Sequence, residues 1–203
     1  MNNTITVTAW VFALALSLTA CGSSPHNTYH LLTATGSHSA SGETPSLGIG
    51  PVEIPEYLNR NGLVYSRQDN QLQISSQERW AEPLEDGISR VLGMNLASLL
   101  NTQNLRYFPW NPQRAPDYGI KITVLTLDAN DRQATLVAEW LLYRPDTTAT
   151  ISRRISQLQQ DLPSGKLEPA QLAPTYSNLL YQLSEIIAAA VSAAERDAKA
   201  TGA

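Results

Sequence analysis

Two apolar periodicities follow each other in the C-terminal half of the chain, and together they restrict the fold more than any other feature. In "GIKITVLTL" (residues 119–127), Ile120 and Ile122 alternate with polar side chains, as in a strand buried on one face. "TLVAEWLLY" (135–143) alternates in the same way. Between residues 171 and 198 the apolar side chains recur at helical spacing instead. A sheet with one apolar face and a helix with one apolar stripe bury these surfaces against each other.

The N-terminal half predicts further strands and a second helix. Asp69 and Asn70 form a hairpin signal between two short β segments, because both residues tolerate positive φ. Pro83 favours a helix start, and the following apolar residues keep helical spacing to Leu99. The predicted elements before the C-terminal half are strands at 28–33, 47–54, 63–67, 71–75 and 105–108 and a helix at 84–99.

The order of these elements predicts the fold class. A polar edge strand at 149–156 completes an antiparallel meander ahead of the last helix. Strands, helix, strands and helix therefore follow one another. We predict a mixed α/β (α+β) fold in a single domain, with a mixed, largely antiparallel sheet packed by two main helices.

The only cysteine of the chain, Cys21, follows an apolar run at 10–20. This run is shorter than the about 20 apolar residues that span a bilayer, and it has the length of a signal-peptide h-region. Residues 18–21 ("LTAC") resemble the bacterial lipobox, in which the peptide is cut before the cysteine and the cysteine is acylated. A buried free cysteine is the alternative, and the small polar residues after Cys21 fit it badly.

The lipobox divides the chain into three predicted parts and places it in an envelope. These parts are a lipoprotein signal peptide at 1–20, a lipidated tether at 21–27 and a folded domain at 28–198. We expect a covalent lipid such as palmitate on Cys21 and no other cofactor. Gly22 favours the outer membrane, because Asp at that position often marks inner-membrane retention. The domain would then face the periplasm.

Composition excludes several classes of function. The net charge of −4 and the scattered Lys and Arg residues offer no basic stripe for nucleic acid. His26, His30 and His38 all lie near Cys21, in what we interpret as a solvated tether. The later part of the chain therefore lacks a histidine base for nucleophilic catalysis and the usual ligands of zinc. We predict no enzyme and no metal site.

Aromatic residues in loops are the remaining functional signal. Trp80 and Trp140 are interpreted as core residues. Tyr57, Leu58 and Trp110 occupy predicted turns, where side chains can meet a protein partner or a membrane surface. We therefore take these three residues as candidates for partner docking.

Several segments in sequence order resemble the PqiC/YmbA-type lipoproteins, the ABC-type transport auxiliary lipoproteins. The resemblance covers the chain from the signal peptide through the final helix, apart from the Ser/Thr/Gly stretch after Thr33. The segments that carry it are "YHLLT" (29–33), "VEIPEYLNRNGLVY" (52–65), "RWAEPLEDGISRVLGMNLASLL" (79–100), "YFPW" (107–110) and "VAEWLL" (137–142).

This resemblance implies a function that the residues alone do not supply. It implies an outer-membrane lipoprotein that serves as an accessory or docking component of an MCE-type lipid transport system. The implied partners are an envelope-spanning MCE-domain protein and an inner-membrane transport component. A homo-oligomeric ring that matches a multimeric partner is a further expectation. No enzymatic activity is implied.

Two other functions stay open at the level of sequence. One is an independent periplasmic lipid-binding carrier, with a cavity between the sheet and the C-terminal helix; Val137 and Leu141 lie opposite Leu136 and Trp140, so apolar residues occupy both strand faces. The other, less favoured, is an enzyme acting on envelope polymers.

Overall fold

The computed structural model describes residues 26–35, 40–68, 70–163 and 167–201. Within these ranges the chain forms eight strands, two α-helices and short 3-10 turns. The elements are β1 Thr28–His30, β2 Leu47–Glu53, β3 Gly62–Gln68, β4 Gln71–Trp80, α1 Leu84–Leu99, β5 Leu105–Tyr107, β6 Tyr118–Ala129, β7 Gln133–Arg144, β8 Ala149–Asp161 and α2 Leu172–Thr201.

The larger sheet has five strands in the order β5-β2-β6-β7-β8. Strand β2 runs parallel to both β5 and β6, whereas β6, β7 and β8 form an antiparallel meander. Side chains along β7 alternate between the core and the opposite face, and the even-numbered ones from Ala134 to Leu142 are buried. This alternation gives the sheet one apolar inner face and one outer face.

Helices α1 and α2 cover the inner face. The stripe of α2 includes Leu179, Leu183 and Ile187, each at most 1% exposed. Trp140 of β7 is 1% exposed and its Nε1 donates to Ser156 Oγ at 3.0 Å. Burial of these side chains supplies the apolar stabilisation that a chain without disulfides needs.

A second sheet of three strands, in the order β1-β4-β3, packs beside this body. Strand β1 runs parallel to the end of β4, and β3 pairs with β4 as an antiparallel hairpin. The Trp80 ring lies 6.4 Å from the Tyr176 ring of α2. Ser66 donates to Asp128 of β6 through both its backbone N–H and its hydroxyl, at 2.8 and 2.5 Å. The small sheet is therefore joined to α2 by a buried aromatic contact and to the large sheet by the two hydrogen bonds of Ser66.

The predicted mixed fold with two main helices is confirmed. Helix α1 begins and ends where the sequence places it, and the hairpin and meander are both present. The strands are divided between two sheets, because β1 pairs with β4 and leaves β2 to enter between β5 and β6. Trp80 and Trp140 are core residues, as predicted.

The interpretation of all three histidines as solvated tether residues is wrong for His30. This residue ends β1, its side chain is 11% exposed, and its Nε2 donates to Glu78 Oε2 at 2.5 Å. His30 is therefore part of the folded domain and holds β1 against β4. His26 is exposed, and His38 lies outside the described residues.

Candidate functional site

The predicted lipidation site, Cys21, and the predicted signal peptide lie outside the described residues. The described chain starts at His26 and enters β1 two residues later. Neither described helix combines the length with the apolar character that a bilayer crossing requires. Acylation of Cys21 stays a prediction.

The turn that contains Tyr57 and Leu58 packs inward. It is a 3-10 turn at Glu56–Leu58, held by a bond from the Leu58 N–H to the Pro55 carbonyl at 2.9 Å. Leu58 is 3% exposed and belongs to the core. Tyr57 is half-buried, and this burial raises the pKa of its hydroxyl, while the backbone of Leu127 acts in the opposite direction. Docking through these two residues stays a prediction, and only Tyr57 reaches the surface.

Trp110 folds back over the outer face of β2. A Cβ placed on Gly48 would lie 2.8 Å from Trp110 Cζ3 and 2.6 Å from Pro116 Cγ. Glycine at position 48 is therefore what allows the loop to lie on the strand. Asn111 fixes the next turn, since its side chain accepts a bond from the Gln113 N–H at 2.9 Å.

Phe108 extends this cover to the edge of the sheet. Its ring meets the Trp110 ring edge-on, with centroids 5.6 Å apart and planes at 89°. Its N–H donates to the Ile49 carbonyl at 2.9 Å, which prolongs the β5–β2 pairing by one residue. Despite these contacts Phe108 is 54% exposed.

Tyr107 occupies the helix side of the same edge. A Cβ on Gly93 of α1 would lie 2.5 Å from the Tyr107 hydroxyl, so the ring rests against the helix. Partial burial raises the pKa of this hydroxyl, and the positive charge of Arg90 acts in the opposite direction. Tyr107 is nevertheless 43% exposed. We call Tyr107, Phe108 and Trp110 the aromatic edge.

The aromatic edge differs from the docking set that the sequence predicts. Trp110 belongs to both groups. Tyr107 and Phe108 belong to the aromatic edge but not to the predicted docking set. The available signal was the unbroken run "YFPW" beside the short strand β5, because a three-residue edge strand cannot bury both faces of consecutive aromatic residues.

The outer face of the large sheet carries paired charges among apolar side chains. Lys121 Nζ lies 2.7 Å from Glu53 Oε1, and Arg153 Nη2 lies 2.6 Å from Glu139 Oε1. The hydrogen bond from Lys121 lowers the pKa of the Glu53 carboxyl. Exposed aliphatic residues share this face: Leu125, Ile151 and Ile155.

Two carboxylates of the folded domain have cationic partners. Glu53 pairs with Lys121, and Glu82 lies 2.5 Å from Arg90 Nη2. The part of the chain that the structure describes contains no group of three or more His, Cys, Asp or Glu side chains arranged to hold a metal. These contacts give both carboxylates a structural role.

Comparison with known proteins places the chain among transport lipoproteins. The family described as ABC-type transport auxiliary lipoprotein component, which is not an enzyme family, matches residues 29–188. The chain is 29% identical over 139 residues to the intermembrane transport lipoprotein PqiC of Escherichia coli (strain K12), covering 66% of this chain and 73% of that one. The Shigella flexneri protein of the same name matches equally well.

The fold is shared with solved structures. The crystal structure of protein XCC0632 from Xanthomonas campestris superposes with a TM-score of 0.66 at 13% identity, over 85% of this chain and 99% of that one. The matched family segment runs from β1 into α2 and includes the aromatic edge and, apart from Thr28, all eight described strands. The chain belongs to the ABC-type transport auxiliary lipoprotein component family.

Proposed function

We propose that this protein is an outer-membrane-anchored periplasmic lipoprotein and the docking component of an MCE-type intermembrane lipid transport system. The observation that carries the proposal is the family match over residues 29–188, which spans the folded body. The name of the PqiC relatives, intermembrane transport lipoprotein, supports transport between two membranes. The acylated Cys21 would supply the anchor, and Gly22 favours the outer membrane.

The aromatic edge is the docking surface in this proposal. Phe108 and Trp110 are held in place by the β5–β2 pairing and by the close packing on Gly48, so little side-chain freedom is lost when a partner covers them. Aromatic residues are also enriched at the centres of protein interfaces. The partner is an envelope-spanning MCE-domain protein, which links this lipoprotein to an inner-membrane transport component. Tyr57 is a secondary contact with the partner in this proposal.

Self-association belongs to the same proposal. A ring of identical copies would present several aromatic edges to a multimeric partner at once, and multivalent contact raises the effective affinity. Native mass spectrometry of the detergent-solubilised lipoprotein measures the number of copies. A monomer at all concentrations would exclude the ring and leave the docking role standing.

In-cell crosslinking followed by detergent purification tests the docking role. We expect an MCE-domain protein to copurify with the tagged lipoprotein and to be lost with Phe108→Ser. Ile155→Ser is the matched control, since Ile155 is also exposed but lies on the distant strand β8. Recovery of the partner with Phe108→Ser would show that docking uses a surface other than the aromatic edge. Recovery of no envelope protein from the wild type would overturn the docking role.

The carrier alternative finds less support in the described residues. The space between the sheet and α2 is filled by fully buried side chains, among them Trp140 and Tyr118. Surface depressions of about 700, 430 and 400 Å³ are lined largely by polar residues such as Asp128, Glu168 and Lys121. Such linings suit water better than acyl chains. Lipid bound to the non-acylated Cys21→Ser protein in native mass spectra would support the carrier function instead.

A further inference from the structure

Two exposed apolar side chains, Tyr29 and Leu31, lie at the first strand of the fold. Tyr29 is 62% and Leu31 is 47% exposed, whereas Leu32 is 2% exposed and the His30 side chain is held by Glu78. This alternation puts Tyr29 and Leu31, the residue that directly follows β1, together on the outward side of this segment. In the described part of the chain β1 pairs with β4 alone, so this strand is a free edge.

A guanidinium group lies beside the pair. Arg79 is opposite Tyr29 in the parallel register, which places both side chains on the same face of the small sheet. Its Nη2 donates to the Ser76 carbonyl at 3.3 Å, and its Nε is buried without a hydrogen-bond partner among the described residues. No carboxylate pairs with Arg79 in the part of the chain that the structure describes. The buried Nε cannot reach a headgroup, but the partly exposed guanidinium keeps its positive charge, without a carboxylate partner among the described residues, next to an exposed aromatic ring.

The distance to the anchor identifies what covers this surface. Six residues separate Cys21 from Thr28, and a fully extended chain of that length reaches roughly 20 Å. An acylated Cys21 would therefore keep Tyr29 within a short distance of the headgroups. Tyrosine is enriched at the headgroup level of membranes, and arginine forms strong hydrogen bonds to phosphate.

We propose that Tyr29, Leu31 and Arg79, here called the β1 patch, dock on the phospholipid headgroup region of the membrane that holds Cys21. The proposal rests on the anchor in the proposed function but not on the MCE partner. Docking fixes the orientation of the domain on the bilayer, which an acyl anchor alone would not. The aromatic edge is then held at a fixed angle to the membrane.

Depth-dependent quenching tests the β1 patch. Cys21 is the only cysteine, so after its acylation the variant Tyr29→Cys carries one free thiol for an environment-sensitive fluorophore. The acylated full-length protein is reconstituted into phosphatidylethanolamine–phosphatidylglycerol vesicles that contain acyl-brominated lipid. Ile155→Cys is the matched control, because Ile155 is 63% exposed on β8 of the other sheet. Leu31→Cys provides a second reporter on the patch.

We expect bromolipid to quench the labels at positions 29 and 31 several-fold more strongly than the label at 155. Equal quenching at all three positions would overturn the proposal. A blue shift at 29 that grows with protein density but not with bromolipid would indicate contact with a second copy and also overturn it. Failure of the protein to float with the vesicles would overturn both the anchor and the β1 patch. The MCE partner is tested separately by the crosslinking experiment.

Discussion

Gly48 shows how a single residue without a side chain fixes the aromatic edge. Trp110 and Pro116 occupy the space that a Cβ would need. Gly48→Ala is expected to cost about 1–3 kcal/mol of unfolding free energy, because the loop must be pushed off β2. Urea denaturation measures this cost.

Gly93→Ala is the control for this prediction. There the new methyl group meets the ring end of Tyr107, a half-exposed side chain that can swing away, and alanine is the better helix former. We expect a smaller loss than at Gly48. Equal losses at the two positions would mean that Trp110 is free to move.

Tyr118 links α2 to the sheet through a hydroxyl that must stay protonated. It donates to Glu195 Oε1 at 2.7 Å, and the Arg144 guanidinium lies 4.9 Å from the ring centroid. Burial, followed by the Glu195 carboxylate, raises the pKa of Tyr118 to about 12. The unfolded chain releases this proton near about pH 10, so the stability supplied by Tyr118 is full below that pH.

This stability is lost as the pH rises from about 10 through about 12. We expect Tyr118→Phe to reduce the fall in urea midpoint over that window and to lower, by the share of one tyrosine, the tyrosinate absorbance that appears near the upper end. Spectrophotometric titration of both proteins measures this absorbance. The difference between the two titration curves is the absorbance of Tyr118. If this difference titrates at about pH 10, Tyr118 has no raised pKa.

At the scale of the elements, α2 contributes stability through its buried stripe. Leu183 is 1% exposed against the sheet, whereas Glu185 on the same helix is exposed. Leu183→Ala is expected to cost about 2–5 kcal/mol of unfolding free energy, because it leaves a cavity in a packed interface. Glu185→Ala should change stability by less than about 0.5 kcal/mol. Similar urea midpoints for both variants would contradict this account of α2.

The elements were predictable where one periodicity ran long enough. The stripe of α2, the alternation in β6 and β7 and the Pro83 start of α1 are local patterns, and each predicted element is present. Strand partners were not predictable, because pairing depends on contacts between distant segments. The parallel register of β1 with β4, which involves His30 and Trp80, is an example.

The docking site was only partly predictable for a related reason. Leu58 lies in a turn, and turn residues are usually exposed. The 3-10 turn nevertheless directs Leu58 into the core, and nothing in its immediate sequence signals this. Trp110 carried a usable signal, since the glycine at position 48 inside a strand indicates that another group approaches closely.

At the scale of the whole molecule, the lipid anchor proposed at Cys21 would decide where the protein resides. We expect Cys21→Ser to move the protein from the outer-membrane fraction to the soluble periplasm, since acyl chains supply the membrane affinity. Density-gradient fractionation and immunoblotting measure the distribution. The Ser24→Ala variant, next to the lipobox, should stay in the membrane. Membrane retention of Cys21→Ser would show that another part of the chain holds it there.

The parallel pairing of β1 with β4 has a mechanical consequence. Three register pairs and the His30–Glu78 contact join the strand to the body. Traction on its N-terminal end along the strand axis loads these bonds in shear, all at once, because they lie across the direction of pull. Traction at right angles peels them one after another. If the anchor proposed at Cys21 transmits a pull, the angle of that pull sets the rupture force of the first strand, and optical-trap extension in both directions measures this difference.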